Sequence, residues 1–104
     1  MARKEYLRPL DETNRIRVRF ETQRGRVAKF TVQYESLIGS DWRAIVRYDT
    51  AHGYFHQDIL SPDGAQKKKE IDMGDFGNAL SFAQEDLLKN WELYRESYME
   101  KMKK

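Results

Sequence analysis

Between Arg15 and Phe20 polar and apolar residues alternate without a break: Arg15, Arg17 and Arg19 are interleaved with Ile16, Val18 and Phe20. A period of two places the three apolar side chains on one face of a strand and the three arginines on the other. Val27 to Tyr34 alternates in the same way, with Ala28, Phe30, Val32 and Tyr34 on the apolar side. The intervening Thr22-Gln23-Arg24-Gly25-Arg26 suits a three-residue hairpin loop in which Gly25 takes the left-handed conformation. That loop pairs Phe20 with Ala28, Val18 with Phe30 and Ile16 with Val32, and sets Arg19 opposite Lys29. Gly39-Ser40-Asp41 marks the next turn. It is followed by a strand from Trp42 to Tyr48 with Ala44, Val46 and Tyr48 facing inward, so that Arg43 and Arg47 face outward. Tyr54 to Leu60 reads as a fourth strand with Phe55 and Ile59 inward. After the Ser61-Pro62-Asp63-Gly64 turn, Gln66 to Ile71 reads as a short fifth, lysine-rich strand of the kind that guards a sheet edge.

At Asp75, a suitable N-cap, the period changes. Leu80, Ala83, Leu87, Trp91, Tyr94 and Tyr98 recur three and four residues apart and form one apolar stripe on a helix of about 25 residues. The predicted fold is α+β: a twisted antiparallel sheet of four or five strands packed on one long C-terminal helix. Residues 1–14, with Pro9 among charged residues, read as a loosely held arm, and residues 15–104 as a single domain.

Composition narrows the function classes. Of the 104 residues 35% are charged and 12% aromatic, and formal net charge is only +2. The aromatic content and the clean alternations point to a folded core under a heavily charged surface. Without cysteine there is neither disulfide nor thiolate metal site. No apolar run approaches the ~18–20 residues of a membrane span or the core of a signal peptide, so a cytoplasmic protein that does not engage membranes is expected.

Two features carry candidate chemistry. The first is the sheet face turned away from the helix, where Arg15, Arg17, Arg19, Lys29, Arg43 and Arg47 form a basic surface. Guanidinium groups suit phosphate, so nucleic acid, RNA in particular, is one candidate partner and a protein the other. The plainer reading of the same face is a solvated polar surface softened by Glu21 and Asp58, as exposed strands of highly charged proteins commonly are. The second is Arg47-Tyr48-Asp49-Thr50-Ala51-His52-Gly53-Tyr54-Phe55-His56-Gln57-Asp58, which holds both histidines. Pairing Asp49 with Tyr54 and Arg47 with His56 would bring Arg47, Asp49, His56 and Asp58 onto the open face beneath His52. Three chemistries fit: acid–base catalysis by His52 or His56 with Arg47 as phosphate clamp and Asp49 in support, a divalent metal held by His52, His56 and Asp58, or a loop capped by the Asp49 side chain. No phosphate-cradling glycine loop, serine elbow or zinc-protease motif is present, and no cofactor is implied.

The Arg47–Asp58 segment, taken with Asn90-Trp91-Glu92-Leu93-Tyr94, resembles a family of small uncharacterised prokaryotic proteins in which a strand ends in Tyr-Asp, a Thr-Ala-His-Gly turn follows, and a histidine lies three residues beyond. The resemblance implies no assigned activity. A looser likeness is to small toxins of toxin–antitoxin pairs, whose signature runs Arg-aromatic-Asp and then histidines; the doubled histidines of that group are absent here. The favoured expectation is a binding module that uses the basic open face, with homodimerisation through strand edges as a further option. The alternative is a metal-independent, toxin-like RNA-cleaving enzyme using His56, His52 and Arg47.

Overall fold

A computed structural model describes residues 1–103; Lys104, the last residue of the expected domain, lies outside the described residues. Six strands follow in chain order: β1 (Ala2–Asp11), β2 (Asn14–Gln23), β3 (Arg26–Ile38), β4 (Asp41–Asp49), β5 (His56–Leu60) and β6 (Gln66–Glu70). They form one antiparallel meander in which each strand hydrogen-bonds to its neighbour in sequence. The helix α1 (Phe76–Met102) closes one face, and the α+β architecture is as expected, with more strands.

The added strand is β1. The first residues, expected as a loose arm, pair with β2 from Ala2↔Thr22 to Pro9↔Arg15. Proline is compatible with this position because β1 is an edge strand, where a missing N–H need not interrupt a ladder. The turn into β2 is held by Asp11, whose carboxylate accepts from the Thr13 backbone N–H at 2.8 Å and from Asn14 Nδ2 at 2.9 Å. Asn14 Oδ1 then accepts from the Tyr34 hydroxyl at 2.6 Å, which ties the turn to the core.

The β2–β3 hairpin turns more tightly than expected. Gln23 pairs with Arg26, and Arg24 and Gly25 occupy the turn with φ of 55° and 76°. Two consecutive positive φ values give the turn whose twist matches the strands it joins. The residue this saves reappears as a bulge at Ala28, between Thr22↔Val27 and Glu21↔Lys29. Phe20 therefore faces Phe30, Val18 faces Val32 and Ile16 faces Tyr34. Beyond the bulge the pairing differs from expectation by two residues, so Phe30, Val32 and Tyr34 keep the core face. Ala28, expected inward, is instead exposed in the bulge, and Val27 packs on the core in its place. Arginine at φ 55° is strained, whereas asparagine tolerates that region. Arg24→Asn is expected to stabilise the fold by about 0.5–1 kcal/mol, as a shift in urea midpoint at unchanged slope.

The core lies between α1 and the sheet's inner face. Ile16, Val18, Phe30, Val32, Tyr34, Val46, Tyr48 and Phe55 are buried there against Ala79, Leu80, Ala83, Leu87 and Tyr98 of the helix. Asp75 caps the helix, accepting from the Asn78 N–H at 2.8 Å. A second bulge at Ile45, between Tyr34↔Val46 and Glu35↔Ala44, buries Ile45 as well as Val46. It corrects two expectations. Ala44, expected inward, pairs with Glu35 on the outer face. Arg43, expected on the open face, pairs with Ser36, whose hydroxyl accepts from Arg95 Nε of the helix at 3.3 Å. Arg43 is thus on the helix side, beside Ser61 and Lys101.

The helix is clipped to the sheet by a polar cluster as well as by apolar packing. The Asp86 carboxylate accepts from Tyr48 Oη at 2.5 Å, Tyr94 Oη at 2.6 Å and Asn90 Nδ2 at 2.8 Å. Gln57 Nε2 donates to Tyr48 Oη at 2.8 Å. Burial and the neighbouring Asp86 carboxylate both raise the Tyr48 and Tyr94 hydroxyls above the ordinary tyrosine range. No helix among the described residues is long and apolar enough to cross a membrane.

Candidate functional site: the open sheet face

With helix and core on one side, the other face of the sheet is left uncovered, and cross-strand pairing determines which charges meet there. At its centre Glu35 accepts from Arg15 Nε at 2.7 Å, Arg17 Nε at 3.2 Å and Gln33 Nε2 at 2.6 Å. Burial works to raise the Glu35 carboxyl, but these three hydrogen bonds and the Arg17 charge outweigh it and hold the group below the usual carboxylate range. Arg15 also stacks its guanidinium on Trp42, 3.8 Å from the ring centroid. Two of the three β2 arginines are therefore occupied within the sheet.

The other cations of the face divide in the same way. Lys29, expected opposite Arg19, instead meets Glu21 with Nζ 3.1 Å from Oε2, because the tighter hairpin places Arg19 opposite Thr31. Arg47 donates through Nε to Gln33 Oε1 at 2.8 Å and has no ion pair among the described residues. Arg19 and Arg3 make neither an ion pair nor a side-chain hydrogen bond among the described residues. Arg3 joined the site only when Ala2–Asp11 of the expected arm proved to be a strand, since Arg3 lies opposite Glu21 on the same face. Two adjoining hollows follow this free charge. One of about 400 Å³ is lined by Arg3, Arg19, Lys29, Thr31, Asp49 and Thr50, among others. The second, of about 360 Å³, is lined by Arg17, Arg19, Thr31, Gln33, Arg47 and Asp49.

The histidine segment folds with its register moved by two residues. Asp49 pairs with His56 and Arg47 with Asp58, so these four residues share the open face as expected, through different partners. The cause lies in the connection. Asp49 Oδ1 accepts from the Ala51 N–H at 2.6 Å, and Thr50 Oγ1 accepts from the Phe30 N–H at 3.0 Å. Thr50 thereby extends the β3 edge beyond the end of β4, and a short 3-10 turn at Ala51–Gly53 follows. Asp49 caps this loop in the manner weighed from the sequence.

His52 and His56 are in contrasting environments. His52 is exposed at the tip of the loop with φ 66°. His56 is only 2% exposed and Asp58 4%. Their side chains meet with Nε2 3.5 Å from Oδ2, and Tyr54 lies against the imidazole with ring centroids 5.3 Å apart. Neighbouring strands alternate in charge around the pair: Asp49 and Glu70 flank His56, while Arg47 and Lys68 flank Asp58. His56 Nδ1 and Asp58 Oδ1 are buried without hydrogen-bond partners among the described residues. His52, His56 and Asp58 do not gather into a metal-holding cluster among the described residues.

Sequence reasoning did not single out Glu35, Trp42 or the Asp86 cluster. A charged residue at an outward strand position looks the same whether it is solvated or holds three donors, and only the pairing of three strands separates the two cases.

The fold and its uncovered face define a small sheet-and-helix domain whose exposed surface is a lattice of cross-strand charge pairs, with arginines along one side that make no ion pair among the described residues. The chain belongs to a family described as a domain of unknown function (DUF7718), matched over residues 1–104. Among curated proteins and among solved structures no significant match is found.

Proposed function

We propose that this protein is a binding module that holds the phosphate backbone of a single-stranded nucleic acid, RNA in the first instance, along the open face of its sheet. The observation that carries the reading is the run of Arg3, Arg19 and Arg47, cations that make no ion pair among the described residues and that, beside Glu21 and Asp49, line two hollows sharing Arg19, Thr31 and Asp49. An anion reaching them need not displace an existing ion pair. Trp42 is already stacked under Arg15, so the surface offers phosphate contacts rather than platforms for bases, and binding would depend weakly on sequence.

The alternative, metal-independent RNA cleavage by His56 and His52 with Arg47 as clamp, asks a buried imidazole held against Asp58 to reach a ribose hydroxyl. Nothing in the geometry favours it over binding.

One mixture tests both. Labelled single-stranded RNA is titrated with protein at low and moderate salt in EDTA, and its anisotropy is read before the sample is run on a denaturing gel. Expected are intact RNA and an affinity that falls about twentyfold between 50 and 200 mM salt, as about three phosphate contacts require. Arg19→Ala is expected to weaken binding about fivefold at low salt and to flatten the log–log salt slope by about 0.7–1. Lys67→Ala, on the far edge strand, should leave both unchanged. No anisotropy change even at low salt would end the proposal, and cleaved RNA in EDTA would replace it with the enzymatic reading.

A further inference from the structure

The sheet has two free edges, and they differ. The β6 edge is short and carries Lys67, Lys68 and Lys69 in succession, which repels any strand of similar charge. The β1 edge is ten residues long, and Tyr6 and Leu7 at its middle are 41% and 45% exposed. β1 buries almost nothing of its own. Only Leu10 is part-buried, and its one side-chain hydrogen bond to the helix is Tyr6 Oη to Gln84 Oε1 at 3.0 Å.

Backbone direction can be followed from the hairpins. The two-residue turn at Arg24-Gly25 assigns alternate residues of β2 to β3, and leaves Ile16, Val18 and Phe20 to bond with β1. Their partners are Arg8, Tyr6 and Lys4. Arg3, Glu5, Leu7 and Pro9 therefore turn their backbone groups to the free edge, which is also where an edge proline belongs.

We infer that β1 pairs antiparallel with the β1 of a second copy, about a twofold axis at Leu7, to give a continuous twelve-stranded sheet. The charge pattern selects this occupant and this register. An antiparallel twofold pairing keeps like faces level only when the two residue numbers add to an even total. Over the regular stretch Arg3–Pro9, placing the axis at Lys4 opposes Lys4 to Lys4. An axis at Glu5 opposes Glu5 to Glu5, one at Tyr6 opposes Lys4 to Arg8, and one at Arg8 opposes Arg8 to Arg8. With the axis at Leu7 no like charges meet: Leu7 faces Leu7, Tyr6 faces Arg8, and Glu5 faces Pro9. Like charges directly opposite destabilise a pair, and an arginine beside a tyrosine ring stabilises it. Pro9 lacks one N–H in each copy, which weakens this pairing without redirecting it. The two open faces become one surface, with Arg3 of each copy toward the seam. The inference does not rest on nucleic-acid binding.

The chain has no cysteine, so single cysteines report the register directly. In this pairing the two Leu7 Cα atoms lie about 5.5 Å apart, within the span a disulfide needs. Leu7→Cys is expected to give a disulfide-linked dimer under mild oxidation, while Glu5→Cys and Lys68→Cys stay largely monomeric on a non-reducing gel. In parallel, sedimentation of the unmodified chain is expected to show a reversible dimer, with association weakened at least about tenfold by Leu7→Lys. A monomer up to about 1 mM would overturn the inference. So would cross-linking at Glu5→Cys or Lys68→Cys as readily as at Leu7→Cys.

Discussion

Replacing Asp86 by alanine is expected to destabilise the fold by about 2–4 kcal/mol, the largest single-residue effect outside the apolar core. The carboxylate accepts from two tyrosine hydroxyls and an asparagine amide at 2.5–2.8 Å. Hydrogen bonds to a charged acceptor contribute about 1.5–3 kcal/mol each, and donors left unpaired in a part-buried site add their own cost. The three bonds form one network, so their losses will not sum. Against a total stability of about 5–15 kcal/mol, the loss lowers the urea midpoint substantially. Tyr48→Phe is expected to cost about 1–2 kcal/mol. In the double variant most of that cost should disappear, because the phenol has already lost its acceptor. Full additivity in the double-mutant cycle would show that the cluster does not act as a unit.

The second large effect separates stability from binding. Glu35→Gln keeps the shape of the side chain but removes the charge that engages Arg15 and Arg17. It is expected to cost about 1–3 kcal/mol, the penalty of leaving two partly covered guanidinium groups without their anion. The proposed RNA affinity should rise in the same variant, since both arginines are released to the open face. A fall in both quantities would mean that Glu35 serves only to order the surface.

Glu35 also sets an acid limit. Its carboxyl is held below the ordinary value of 4.5 in the folded chain. Its contribution to stability is therefore complete above that value and lost as pH falls through the lower folded one. Unmodified protein should lose stability faster than Glu35→Gln from about pH 4.5 downward, as followed by urea unfolding at a series of pH values.

Much of this architecture was legible in one dimension. Which residues of β2, of β3 from Phe30 onward and of the helix face the core follows from periodicity, because burial of an apolar face decides it locally. The N-cap at Asp75, the turn glycine at Gly25 and the lysine-guarded edge follow from equally local chemistry. Bulges were not legible. The one at Ala28, together with the tighter turn, moved a hairpin by two residues, leaving the faces beyond it as expected but turning Val27 to the core and Ala28 out. The one at Ile45 shifted by a single residue, exchanged the faces of Arg43 and Ala44, and took an arginine out of the expected surface. Nothing in a run of alternating residues marks where a strand will take an extra one.

What the sequence determined by itself is the class of fold, the stripe of the helix and the presence of a charged open face, all consequences of pattern within single elements. What only the tertiary structure decided is which charges on that face are occupied. Glu35 gathers Arg15 and Arg17, Lys29 turns to Glu21, His56 is enclosed beside Asp58, and Arg19 and Arg3 make no ion pair among the described residues. Each of these depends on register between strands, and register is set by turns and bulges rather than by the identity of the charged residue itself.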